Sequence, residues 1–307
     1  MASTQKSPVL LSAADVTWVR KEKTCIDVNA VATALDAKYF EIDAPASHGG
    51  ANQEFYVWFD LDAGSVDPAP AGRTAIKVDV VTGDTETQVA TKLAAAVEAN
   101  ANFYAKVDSS DATQVLIEPK FGGPVSAPTT DIDTTFDIQQ TSSGLGGDLG
   151  KTSGGVELAL EASTIQITSD QTGAIPVDEV FNGSTVEASM SLLEMTPERW
   201  KTVVGSVTGD TFTPSGGTEL VGMGTSRQYV SLFDLGGMLI MHPTRYPASD
   251  RSYDITLFNS APKPASIGFS GEEPQVMEVT FTALEDRNVN SAISLMAFGD
   301  SEQDVRA

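Results

Sequence analysis

Side chains able to do chemistry are few in this chain, and their spacing suits none of the common reactions. Histidine, the usual general base near neutral pH, occurs only as His48 and His242, and the one cysteine is Cys25. A lone thiol excludes an intrachain disulfide and any multi-cysteine metal site. Gly150-Lys151-Thr152 ends like a phosphate-binding loop, but that loop needs glycine five positions before Gly150, where Leu145 stands. A flexible glycine linker is the expected reading. Asp131-Ile132-Asp133 with Asp137 lacks the glycine and the glutamate that an EF-hand places at its sixth and twelfth loop positions. Asp60 and Asp62 are expected to be hydrated turn carboxylates. Ser189 and Ser191 lie in an alternating run without the glycine-flanked elbow of a hydrolase nucleophile. Glu272 and Glu273, beside Gly271 and Pro274, would act as paired carboxylates only across a sugar-binding cleft. Trp18, Trp58 and Trp200 read as core residues. No enzyme, metal or cofactor is expected.

Composition narrows the field further. The 307 residues are 41% hydrophobic, enough for a packed core. With 42 acidic and 19 basic side chains the net charge is −23, which repels phosphate backbones and disfavours direct gripping of nucleic acid. No apolar run approaches the roughly 18 residues a membrane helix needs. The apolar stretch Val9 to Leu11 is too short for a secretory signal core.

The elements that would position any site are mostly strands. Val156, Leu158 and Leu160 alternate with Glu157, Ala159 and Glu161. Val186, Ala188, Met190 and Leu192 alternate with Glu187, Ser189 and Ser191. Tyr253, Ile255 and Leu257 alternate with Asp254 and Thr256; Met277, Val279 and Phe281 alternate with Glu278, Thr280 and Thr282; Ile293 and Leu295 repeat the theme. Period two predicts strands with one apolar and one polar face. One helix interrupts them: Thr196 caps, Pro197 opens the first turn, Trp200, Val203 and Val204 form an apolar stripe, and Gly205 stops it.

The first half predicts a β-β-α-β-β unit. Strands are expected over Phe55–Phe59 and 73–81, a helix behind the capping-box pattern Thr85-Glu86-Thr87-Gln88 with Val89, Leu93 and Val97 on one face, then strands over 103–108 and 113–118. The expected division is residues 1–36 as an N-terminal arm and strand, 37–140 as the α+β unit, 141–155 as a glycine-rich linker, and 156–307 as a β domain. Whether the α+β unit is inserted into the β domain or precedes it in tandem stays open. Residues 39–140 hold 16 acidic and 5 basic side chains, net −11, against −12 for the longer remainder, as suits an exposed, solubilising module.

The stretch from Thr164 through Asn182-Gly183 into Val186-Glu187-Ala188-Ser189-Met190-Ser191-Leu192-Leu193-Glu194-Met195-Thr196, the helix after it, and the later Val276-Met277-Glu278-Val279-Thr280-Phe281-Thr282-Ala283-Leu284 resembles the major tail tube proteins of long-tailed bacteriophages. The resemblance covers roughly residues 156–300. The first-half unit is similar to a module recurrent in phage structural proteins, on Lys38-Tyr39-Phe40-Glu41-Ile42, Phe55-Tyr56-Val57-Trp58-Phe59 and Val80-Val81-Thr82-Gly83-Asp84-Thr85. A minimal tube subunit lacks that module, which would be an outward-facing decoration.

The resemblance implies a mainly β fold: a tail-tube-type β-sandwich or barrel with a flanking helix, plus the inserted small α+β domain. It further implies six-fold rings that stack into a tube, with DNA transiting the lumen unbound. Tape measure and terminator proteins would be partners, the virion tail the location, and the host bacterial cytoplasm the place of assembly, with no membrane insertion. Lumen-lining candidates are Glu157, Glu161, Glu187, Asp254 and Glu278, whose faces could equally meet solvent. Ring-stacking candidates are Pro8, Val9 and Leu10 in the arm, and Asp170, Gln171, Asp178 and Glu179 in the loop expected over 170–183. The alternatives are a phage or bacterial surface adhesin binding carbohydrate near Trp58, and a hydrolase using Glu272 or Glu273.

Overall fold

The computed structural model describes residues 14–29, 32–130, 136–168, 170, 175–193, 196–204, 211–225, 228–233, 235–268, 276–303 and 305. The chain is mainly β and divides into two compact units, one comprising the chain through Trp18 with Asp148–Ala307, the other Val19–Gly147. The second unit is thus an insertion within the first. Strand β1 (Ala14–Arg20) runs across the first boundary.

The inserted unit starts earlier in sequence than residue 37. Strand β2 (Lys23–Val28) pairs with β7 (Gln114–Pro119) on one side and β9 (Phe136–Ser142) on the other, and β6 (Phe103–Val107) completes this sheet beside β7. A second sheet runs in the order β5 (Thr74–Val80), β4 (Asn52–Leu61), β3 (Tyr39–Pro45), β8 (Thr129–Thr130), with β4 and β5 parallel. Helix α1 (Glu86–Glu98) packs against β5, β6 and β7. Gln88 Oε1 accepts the Thr85 N–H at 2.9 Å, the return half of the capping box, and Val89, Leu93 and Val97 are fully buried.

Ile26, Val28 and Leu35 lie in the same core cluster as Phe40, Phe59 and Leu93. Assigning residues through 36 to the other unit is therefore corrected: the alternation Thr24, Ile26, Val28 buries this strand where its ladder partners are. The corrected boundaries also remove the contrast in charge density. Val19–Gly147 carries 19 acidic and 9 basic side chains, net −10, in 129 residues, while the other 178 carry 23 and 10, net −13.

The larger sheet, drawn from the first unit except for most of β10 and the end of β1, runs in the order β10 (Leu145–Asp148), β1, β15 (Gly237–Pro243), β16 (Ile255–Gly268), β17 (Val276–Leu284), β12 (Pro176–Leu192), β11 (Thr152–Thr168), with β18 (Met296–Phe298) paired to β16. Trp18 is fully buried there and its Nε1–H donates to the Ser260 carbonyl at 2.9 Å. Helix α2 (Pro197–Val203) has the expected start, with the Thr196 hydroxyl accepting the Arg199 N–H; the Gly205 stop lies outside the described residues. Beyond it β13 (Thr211–Phe212) and β14 (Leu220–Val221) form a minimal pair.

Four expectations are corrected. Residues 141–155 are largely strand rather than linker, because Gly154 and Gly155, at φ of 77° and 86°, absorb the bulge between Ser153 and Val156 and let β11 stay paired. The loop expected over 170–183 is half strand, since β12 begins at Pro176. Ile293 and Leu295 sit in turns, not a strand. Residues 255–260 are buried on both faces, and Tyr253 belongs to a 3-10 turn, Arg251–Tyr253. Among the described residues no helix is long and apolar enough to cross a membrane.

Leu93→Ala should cost the inserted unit about 2–5 kcal/mol by opening a cavity in its core, read as a lower denaturation midpoint. Burial pushes the Glu22 carboxyl above the usual carboxylate range, against hydrogen bonds from Thr24 Oγ1 and Gln140 Nε2, each 2.9 Å. The native state therefore holds this proton more tightly than the unfolded chain, and stability is lost as pH climbs from the ordinary carboxylate range through the raised one. Glu22→Gln should flatten that part of the stability profile, measured by urea melts from roughly pH 4 to 8.

Candidate functional site

Alternation in β11, β12, β17 and the end of β16 produces one mostly polar face, interrupted at its β16 edge by the buried Ala261. Register pairs Glu157 with Ser189, Ser189 with Thr280, and Thr280 with Lys263; the next rows pair Ala159, Glu187, Thr282 and Ala261, and Ser191, Glu278 and Ser266. The opposite face, with Val156, Val186, Ala188, Met190, Leu192, Met277, Val279 and Phe281, is buried. Each strand can thus serve a core and present carboxylates at once.

Side-chain hydrogen bonds knit the polar face across strands. Thr282 Oγ1 donates to Glu187 Oε1 at 2.9 Å, Ser266 Oγ donates to Glu278 Oε2 at 2.9 Å, and the Ser189 and Thr280 hydroxyls lie 3.1 Å apart. Glu187 sits diagonally from both Glu157 and Glu161, each one row away, which keeps like charges roughly 7–8 Å apart instead of directly opposed. Among the described residues no histidine or cysteine stands on this face, which offers an acidic surface with Lys263 as its lone cation.

Four of the five lumen candidates, Glu157, Glu161, Glu187 and Glu278, come together here and are exposed. Asp254 does not. It is 0% exposed, its Oδ1 is 2.6 Å from His242 Nδ1, and its Oδ2 accepts from Ser301 Oγ at 2.6 Å with Arg251 Nη1 at 3.6 Å. The alternation through 253–257 misplaced it, because the strand starts only at Ile255 and Asp254 closes the preceding 3-10 turn. His242 is buried and held from both ring nitrogens, with Nε2 3.3 Å from the Tyr246 carbonyl.

The β11–β12 hairpin continues past the core. From Ala159 to Thr168 and from Pro176 to Thr185 both faces are exposed, yet the arm carries Leu160, Ile165, Ile175 (69% exposed), Val177 and Phe181 (78% exposed). Register pairs Ile165 with Val180 and Thr164 with Phe181, and Thr164 Oγ1 donates to Glu179 Oε1 at 2.6 Å. A cavity of about 350 Å³ lies between the hairpin at Leu160, Ala162 and Val186 and the turns at Ile293–Met296. Asp170, Asp178 and Glu179 are exposed on this arm or its turn; Gln171, Pro8, Val9 and Leu10 lie outside the described residues. Sequence reasoning gave the arm's acids but passed over its apolar residues, whose β-branched density around Pro176 was the available signal.

The remaining sequence candidates do not form a site among the described residues. Trp58 is 5% exposed in a strand buried from Phe55 to Asp60, so it forms no sugar platform. Asp60 is buried rather than hydrated, accepting from the Ser65 N–H at 3.0 Å with Lys77 Nζ at 3.3 Å. Asp62 is held below the usual carboxylate range by the Thr82 hydroxyl and N–H, at 2.6 and 2.9 Å. Asp131, Asp133, Glu272 and Glu273 lie outside the described residues, and among the described residues no cluster of three metal-ligating side chains occurs.

Asp254→Ala, which leaves the buried His242 and the partly exposed Arg251 without their carboxylate, should destabilise its own unit by about 3–5 kcal/mol, visible in calorimetry as a fall in one transition while that of Val19–Gly147 stays put. No protein-family model matches the chain, and no curated protein does either.

Proposed function

We propose that this protein is a structural subunit that assembles with copies of itself into a tube, as the major tail tube protein of a long-tailed bacteriophage does. Stacked hexameric rings would enclose a channel that conducts DNA during ejection. The observation that carries the reading is the β11–β12 arm, a paired hairpin exposed on both faces with large apolar side chains along it. Its exposed apolar residues amount to on the order of 800 Å², about one partner's share of a stable interface and more than a monomer ordinarily leaves in water.

Strand directions support a closed wall. β16, β17, β12 and β11 are successively antiparallel, so β16 and β11 also run in opposite directions. β11 is the last strand in its sheet, and from Ala261 to Gly268 the pairing of β16 is with β17, its pairs with β15 ending at Ser260. Placing β11 of one copy beside this part of β16 in the next continues the antiparallel order, a head-to-tail contact that closes into a ring. Pro262 and Pro264 offer no N–H, so the junction draws its donors mainly from β11.

In such a wall the buried face stays covered by its own unit, and the face bearing Glu157, Glu161, Glu187 and Glu278 turns to the channel. Fixed negative charge there, with Lys263 the lone cation of the face among the described residues, lets a polyanion slide, because there are too few fixed cations to hold its phosphates. Tape measure and terminator proteins would meet the ends of the tube, in a virion tail assembled in the bacterial cytoplasm. The inserted unit would decorate the outside.

Sedimentation velocity with negative-stain electron microscopy tests this. The purified chain should form rings or hollow tubes, and Ile165→Ser with Phe181→Ser should raise the concentration needed for assembly at least about tenfold without lowering thermal stability. Monomers at every concentration would overturn the reading. Tubes carrying Glu157→Lys and Glu187→Lys should retain short duplex DNA in a salt-sensitive way that unmodified tubes do not, measured by co-sedimentation.

A further inference from the structure

A second apolar surface follows α2, well apart in sequence from the hairpin. Phe212, Leu220, Met223, Tyr229, Leu232 and Phe233 are all exposed, Tyr229 completely. Phe212 and Leu220 are ladder partners, so they share one face of the β13–β14 pair. The backbone beneath is tethered rather than loose: Trp200 Nε1 donates to the Val221 carbonyl at 3.1 Å, and Lys201 Nζ holds Glu219 at 2.9 Å. These tethers anchor residues 219–221 to α2 while the apolar side chains of the segment stay outside, a costly arrangement for a monomer.

We propose that residues 211–225 and 228–233 form a second contact surface, whose occupant is another copy of this chain. The proposal rests on the self-assembly reading above and adds the partner of a surface that reading does not use. Charge favours that occupant. A chain of net −23 repels its own copies, so contact between them needs stretches where charge is absent or cancelled. Residues 211–233 contain one acid, Glu219, and one base, Arg227, and the Glu219 carboxylate is already paired with Lys201. Area agrees: the six side chains expose on the order of 800 Å², one partner's share of a stable interface.

The test uses the full chain carrying Phe212→Ser, Tyr229→Ser and Leu232→Ser, in sedimentation velocity beside the unmodified protein and the hairpin variant. The expected result is assembly weakened at least about tenfold with an unchanged melting transition. Assembly equal to that of the unmodified chain, while the hairpin variant fails, would overturn this inference and leave the proposed function standing. An unmodified chain that never assembles would overturn both. Should the triple variant misfold, Tyr229→Cys in a Cys25→Ser background supplies an independent readout. Alkylation of that thiol should slow at least about tenfold on assembly. Equal rates in dispersed and assembled protein, or slowing only when lipid vesicles are added, would refute the contact.

Discussion

Period-two alternation decides what β11, β12, β17 and the end of β16 can be. One face of these strands is committed to the core by Val156, Val186, Ala188, Met190, Val279 and Phe281, so the carboxylates on the other face have nowhere to go but outward. The same strands then outrun the core that made their alternation useful. Past Leu160 and Val186 the described residues of the arm are exposed, and apolar residues appear on both of its faces. A sheet that is two-faced at its root and apolar on both sides at its tip is incomplete by itself, and the functional proposal follows from that incompleteness.

The inserted unit obeys a different logic. Its two sheets and one helix enclose a core with Phe40, Phe59 and Leu93 fully buried, and its polar side chains are spent locally. Arg73 bridges Glu41 at 3.0 Å and Asp43 at 2.7 Å, Asp84 holds Lys92, and Asp60 and Asp62 secure the turn that brings β5 parallel to β4. Carboxylates used this way are structural. A unit closed on itself in this way suits the decoration proposed for it rather than a wall.

Much of this organisation was legible in residue types, and the failures have physical causes. Capped helices were plain because Thr85 with Gln88, and Thr196 with Pro197, satisfy the first-turn donors in ways few other arrangements do. Strands 186–192 and 277–282 were plain because half of each faces water. Residues 253–257 alternate in type, yet from Asp254 onward both faces are buried: Thr256 is enclosed, and His242 and Ser301 make the burial of Asp254 tolerable. The glycine run at 141–155 read as linker because glycines that serve bulges and glycines that serve flexibility look alike in sequence. Strand β2 was assigned to the wrong unit because its partners, β7 and β9, lie about 90 and 110 residues downstream, beyond any local pattern.

Electron cryomicroscopy of the purified chain at assembling concentration tests the central claim most directly. The account predicts a closed wall in which backbone groups of β11 pair with β16 of a neighbouring copy, and in which Glu157, Glu187 and Glu278 face an open channel. Particles of single chains with β11 bare to solvent, or a wall with those carboxylates on its outer surface, would contradict it.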